Sequence, residues 1–151
     1  MKAVILVAGI GTRLRPLTDN TPKPMLDVGG RPLLEWMIMR VKEAGIDEIL
    51  LITNYLEHKI IDHFGNGTNH GVQISYKTQE ETLGTAHAFG EAKEWVGNNA
   101  FMALYGDHYL AEGVLKRLIE AHRDGEVTAS ALLVEDPSQY GAFGLNGDLI
   151  T

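Results

Sequence analysis

The 151-residue chain contains no cysteine. That excludes disulfides, thiolate metal sites and cysteine nucleophiles, and it fits a reducing, cytoplasmic compartment. Basic charge is scarce as well: 13 Lys and Arg stand against 20 Asp and Glu, for a formal net charge of −7. Such a balance opposes non-specific adhesion to polymeric nucleic acid or an anionic membrane, so a phosphate-bearing partner must be held by a local site. Long apolar runs are missing. The N-terminal stretch from Ala3 to Gly9 is too short to span a bilayer and carries no signal-peptide pattern, so a soluble protein without a membrane partner is expected. Proline is rare beyond residue 32, where only Pro137 follows the cluster Pro16, Pro22, Pro24 and Pro32. Glycine is plentiful at 17 residues, above the average share of about 7%.

The length suits one domain with a core of its own. Residues 2–8, KAVILVA, form a continuous β-branched and aliphatic run, the signature of a strand buried on both faces. Residues 33–44 read as a helix closed by Gly45, with Trp36, Met37 and Val41 on its core face. A second buried strand follows at 48–53. Further along, the pattern predicts a helix near 56–64, a strand at 72–77 and a helix over about 85–95 that Trp95 closes. Then come a strand at 100–105, a helix at about 112–123 and a strand at 128–134. Strands alternating with helices argue for an α/β fold, three-layered α/β/α, around a mostly parallel sheet. No repeat, low-complexity stretch or heptad seam interrupts it.

The segment Gly9 to Leu26, GIGTRLRPLTDNTPKPML, directly follows the first strand. In parallel α/β sheets ligands bind beyond the carboxyl ends of the strands, which is where this segment belongs. Gly9 and Gly11 let the main chain approach a phosphate and aim N–H groups at it. Arg13 can add a charge-assisted contact and Lys23 a mobile point charge, while Pro16, Pro22 and Pro24 stiffen the loop. Two other glycine motifs do not fit. A dinucleotide fingerprint requires glycine where Leu14 stands and an acidic residue where the chain has Thr53-Asn54, and no stretch matches a P-loop.

The string Ala8, Gly9, Gly11, Thr12, Arg13, Leu14, Pro16, Leu17, Thr18, followed by Pro22-Lys23-Pro24-Met25, resembles the N-terminal signature of the sugar-1-phosphate nucleotidylyltransferases. The likeness runs from Met1 to about Gly144. It implies a Rossmann-like fold in which the glycine-rich turn and Arg13 cradle the phosphates of a nucleoside triphosphate and Lys23 contacts phosphates at the reacting phosphorus. A second similar string is Gln79-Glu80-Glu81-Thr82-Leu83-Gly84-Thr85-Ala86. By the resemblance Gln79 reads a pyrimidine edge, which its amide suits by offering one donor and one acceptor to the N3–H and a carbonyl of uracil or thymine. Gly84 lets the backbone lie close to the nucleoside, and Thr85 is expected to cap the next helix. A third is Tyr105-Gly106-Asp107 at a strand end, where Asp107 is a Mg²⁺ ligand by resemblance and a reasonable one by chemistry. A fourth, Tyr140-Gly141, is similar to a sugar-approaching turn. The six histidines lack the paired helical spacing of zinc hydrolases, and His108 reads as solvated or adjacent to the metal carboxylate.

What the resemblance implies is attack by a phosphate oxygen of a sugar 1-phosphate, glucose or N-acetylglucosamine 1-phosphate, on the α-phosphorus of UTP or dTTP. Pyrophosphate leaves, and Mg²⁺ is the cofactor. The nucleophile is already ionised, so positioning and charge neutralisation carry the rate. Arg13, Lys23 and Asp107 are the expected catalytic residues. Ala8, Gly9, Gly11, Thr12, Arg13, Gln79, Gly84 and Thr85 are expected to bind nucleotide, and Lys23, Tyr140 and Gly141 the sugar phosphate. Family catalytic domains continue for several further elements, so residues 1–151 are expected to be a nucleotide-binding part, C-terminally short. The alternative is a nucleotide-binding or regulatory module of the same fold without turnover. A homo-oligomer is compatible with the sequence.

Overall fold

Fully aliphatic runs have apolar side chains on both faces, so they fold into a sheet only if helices cover both. The computed structural model describes residues 1–81, 83–131, 134–136, 138, 144–146 and 149–150. In it β1 (Lys2–Leu6), β2 (Glu48–Thr53), β3 (Gln73–Thr78) and β4 (Phe101–Tyr105) form a four-stranded parallel sheet in the order β3-β2-β1-β4. Val4 lies opposite Leu50 on one side and Ala103 on the other.

Side-chain alternation divides the strands between two cores. Ala3, Ile5, Val7, Ile49 and Leu51 pack on one face against α1 (Leu33–Glu43), α2 (Glu57–Phe64) and α5 (Val114–Ala121). The α1 contribution is Leu34, Met37, Ile38 and Val41, the i, i+3, i+4, i+7 stripe of a half-buried helix. Val4, Leu50 and Ile52 face the other way and meet Ala88, Ala92 and Val96 from α3 (Thr85–Gly90), α4 (Lys93–Val96) and the link between them. The fold is therefore a three-layer α/β/α sandwich. Fully burying each of these Ile, Leu or Val side chains stabilises it by about 1.5–3 kcal/mol.

Successive strands run outward from β1 to β3, and the chain then returns to place β4 on the opposite side of β1. Strand order thus reverses at β1. Such a switch point opens a crevice beyond the carboxyl ends of the strands, flanked here by the loops that follow β1 and β4. Two short strands, β5 (Leu145–Asn146) and β6 (Leu149–Ile150), pair antiparallel in a separate sheet.

Four expectations need correction. Residues 128–131 and 134 are not in a strand. Among the described residues β4 pairs with β1 alone, and Val127 just before the segment is 94% exposed. The helix expected over about 85–95 is split into α3 and α4, with Glu91 and Ala92 between them. Gly84, not Thr85, is the N-cap of α3, at φ 100 and ψ 177, a conformation a Thr side chain would resist. Trp36 is half-buried and lies at the core margin. Its indole N–H donates to Val28 O at 2.8 Å, and its ring meets the edge of Tyr109 at 5.8 Å.

Candidate active site

The chain leaves β1 through Val7, whose N–H extends the ladder to Ile52 O at 2.9 Å, and through the buried Ala8. Gly9 and Ile10 are exposed. Gly11 turns the chain at φ 70, ψ 34, and a Cβ there would also come within 3.1 Å of Thr18 Cγ2 and 3.2 Å of Lys23 Cβ. Both backbone conformation and space therefore demand glycine at 11. A Cβ at Gly9, by contrast, meets nothing within 4 Å, so packing makes no such demand there. Thr12, Arg13 and Leu14 form a 3₁₀ turn that presents Arg13 to solvent.

The loop is folded back on itself and tied down. Thr18 is buried, and its hydroxyl donates to Gly11 O at 2.8 Å. The Tyr55 hydroxyl is shared between Thr18 O at 3.0 Å and Asp19 O at 2.8 Å, and the Lys59 ammonium donates to Asn20 O. A second 3₁₀ turn, Lys23–Met25, buries Pro24 and points Lys23 across the crevice.

There Lys23 Nζ donates to Asp107 Oδ2 at 2.6 Å, with the two side chains 32% and 37% exposed. Asp107 reaches this place because Gly106 lies against β1: its N–H donates to Leu6 O at 2.9 Å, and a Cβ on it would stand 2.4 Å from Val7 Cγ1. Partial burial pushes the Asp107 carboxyl up. The Lys23 hydrogen bond and charge, with a smaller contribution from His108, outweigh it and hold the carboxyl below the usual carboxylate range. His108 is largely exposed, its Nε2 3.8 Å from Asp107 Oδ1, as expected of a solvated neighbour.

The loop after β3 carries Gln79, which is 4% exposed. Its N–H donates to Thr53 O at 2.8 Å, its carbonyl accepts from Asn54 Nδ2 at 2.6 Å, and its Nε2 lies 3.4 Å from His87 Nδ1. Asn54 and Tyr55 are consecutive, so one dipeptide at the end of β2 ties the Gln79 loop and the Thr18 loop together. Glu57 reinforces the same end of the sheet by accepting from Thr53 Oγ1 at 2.7 Å and Thr78 Oγ1 at 2.9 Å.

The fold thus brings Lys23 and Asp107 into contact, places Ala8 to Arg13 beside them and sets Gln79, Gly84 and Thr85 at the same end of the sheet. Tyr140 and Gly141 lie outside the described residues. Asn54, Tyr55 and His87 were not among the expected site residues. Thr18 stood within the glycine-proline string, whereas nothing local announces that Asn54 or Tyr55 reaches another loop. A groove lined by Lys77, Thr78, Glu80, Glu81, His87 and Glu91 opens nearby, and its acidic lining is unsuited to a polyphosphate.

The family model described as nucleotidyl transferase matches residues 2–149. The chain is 42% identical over 144 residues to the low-salt glycan biosynthesis nucleotidyltransferase Agl11 of Haloferax volcanii, covering 93% of this chain and 40% of that protein. It is 39% identical over 141 residues to mannose-1-phosphate guanylyltransferase of Mycobacterium tuberculosis, covering 92% and 39%. The structure of UTP-bound UGPase from Acinetobacter baumannii superposes with a TM-score of 0.66 at 29% identity, covering 79% of this chain and 51% of that one. The chain spans about two fifths of the length of these curated relatives. No helix among the described residues is long and apolar enough to cross a membrane.

Proposed function

The chain belongs to the nucleotidyl transferase family, and from that premise we propose that it is the nucleotide-binding part of an enzyme making nucleotide-sugars. The reaction joins a sugar 1-phosphate to the α-phosphorus of UTP or dTTP and releases pyrophosphate. The observation that carries this reading is the Lys23–Asp107 contact at the switch point beside the loop bearing Gly9, Gly11 and Arg13.

Arg13 and the N–H groups of the Gly9–Thr12 turn take the β- and γ-phosphates, where charge accumulates as pyrophosphate departs. Lys23 contacts the α-phosphate and the attacking sugar phosphate, holding the two anions in line. Gln79 reads the base, Gly84 and Thr85 lie along the nucleoside, and Tyr140 and Gly141 approach the sugar. Because Gln79 is 4% exposed, the base reaches it with a local rearrangement of the adjoining loop.

The half-buried Asp107 carboxylate, held ionised, is a hard oxygen donor suited to Mg²⁺ once Lys23 releases Oδ2 and turns to the phosphates. Among the described residues no group of three or more His, Asp or Glu converges as a metal site. Mg²⁺ would therefore take this one carboxylate and complete its oxygen shell from phosphates and water. When bound, it supplies neutralisation of phosphate charge.

Titration of the chain with UTP and dTTP in Mg²⁺, followed by calorimetry, tests the site: saturable binding is expected, and its absence removes the triphosphate assignment. Pyrophosphate release with glucose 1-phosphate or N-acetylglucosamine 1-phosphate tests turnover. Binding without release favours a nucleotide-binding module over an enzyme.

A further inference from the structure

His87 lies in the first turn of α3, eight residues beyond Gln79, with Nδ1 3.4 Å from Gln79 Nε2. On its other side Nε2 stands 3.8 Å from Glu91 Oε1. A carboxylate there favours the tautomer protonated on Nε2, which leaves Nδ1 as an acceptor. The Gln79 main chain is held at both its N–H and its carbonyl, by Thr53 O and Asn54 Nδ2. What remains undetermined by these bonds is which way the carboxamide faces. A carboxamide has nearly the same shape after a half-turn, yet the turn exchanges its donor for its acceptor. In the tautomer protonated on its own Nε2, His87 removes that ambiguity, because its Nδ1 lone pair accepts from the Gln79 amide N–H and repels Oε1.

We propose that His87 is a positioning residue that locks the Gln79 amide and so makes the site select keto bases over amino bases. The inference rests on the reading of Gln79 as the base contact. Uracil and thymine present a ring N–H beside a carbonyl, and guanine presents N1–H beside O6. An amide with Oε1 toward the ring N–H and one Nε2 hydrogen toward the carbonyl matches all three, and its second Nε2 hydrogen stays on His87. Cytosine and adenine present an unprotonated ring nitrogen beside an amino group. Pairing with them requires the half-turn, which sets Oε1 against the Nδ1 lone pair. A polar site built for one pattern discriminates through the partner it would leave unsatisfied.

UTP and CTP differ in this pattern and hardly in size, so their affinities for the full chain in Mg²⁺, measured by calorimetry, give the cleanest comparison. Wild type is expected to prefer UTP by about tenfold or more. His87→Leu, or His87→Phe should the first variant not fold, is expected to bring the two affinities together. His87→Asn, whose Oδ1 replaces Nδ1 as acceptor, is expected to keep most of the preference. A UTP:CTP ratio unchanged in His87→Leu, or equal weakening of both nucleotides, overturns the proposal. Gln79→Ala separates the two levels. If it keeps the wild-type ratio, Gln79 is not the base contact and the His87 role falls with it. If it abolishes the ratio while His87→Leu does not, His87 alone is excluded.

Discussion

Lys23 and Asp107, 84 residues apart in sequence, meet at 2.6 Å across the crevice between the ends of β1 and β4. The contact joins the two loops that flank the switch point of the sheet, and each partner depends on a nearby glycine. Gly11 leaves room for the Lys23 side chain, and Gly106 lets the Asp107 loop lie against Val7.

The pair has a pH signature. Asp107 has its folded-state value lowered, so its contribution is present above the unfolded carboxylate value of about 3.9 and is lost as pH falls through the folded value. Asp107→Asn is therefore expected to lower the melting temperature at pH 7, by the equivalent of roughly 1 kcal/mol or less for so exposed a pair. The difference from wild type should close on acidification below about pH 4. Circular-dichroism melts from pH 3 to 7 check this, and a difference that widens toward acid contradicts it.

Gly106→Ala and Gly9→Ala should behave oppositely. The first forces a methyl to 2.4 Å from Val7 Cγ1 beside the core and is expected to destabilise by about 1–3 kcal/mol. The second meets nothing in the protein and should leave stability within about 0.5 kcal/mol, while triphosphate affinity falls about tenfold. Urea unfolding and nucleotide titration of both variants separate packing from ligand approach.

Arg13→Ala removes an exposed guanidinium from a short 3₁₀ turn. The expected result is an unchanged melting temperature and a loss of UTP affinity of roughly tenfold to a hundredfold. An unchanged dissociation constant removes Arg13 from the phosphate site.

Tyr55→Phe deletes the hydroxyl that holds Thr18 O and Asp19 O. A cost of about 1 kcal/mol is expected, concentrated in the loop from Gly11 to Asn20. Hydrogen exchange should show faster exchange there and unchanged protection in β1 and β2.

Much of the fold was legible because it is written locally. The run AVIL is apolar at every position, so β1 had to be a central strand, and the spacing of Leu34, Met37, Ile38 and Val41 allowed only a helix with one buried face. The glycine-proline string marked an ordered loop after β1, since Gly and Pro carry their backbone preferences with them. Trp36 was misplaced because periodicity gives a helix face without saying where the core ends. Of the strand expected over 128–134, residues 128–131 and 134 are not in a strand although the outer edge of β4 pairs with nothing among the described residues, so the apolar pattern alone did not decide the pairing.

By itself, then, the sequence determined which segments are strands or helices at the heart of the sheet, and which residues are candidates for phosphate and carboxylate chemistry. Those properties depend on neighbours within a few residues. Only the tertiary structure decided that Lys23 closes on Asp107, that Asn54 and Tyr55 bind two loops together, and that His87 faces the Gln79 amide. Each is a contact between side chains brought close by the packing of separate elements, and no local pattern encodes such a distance.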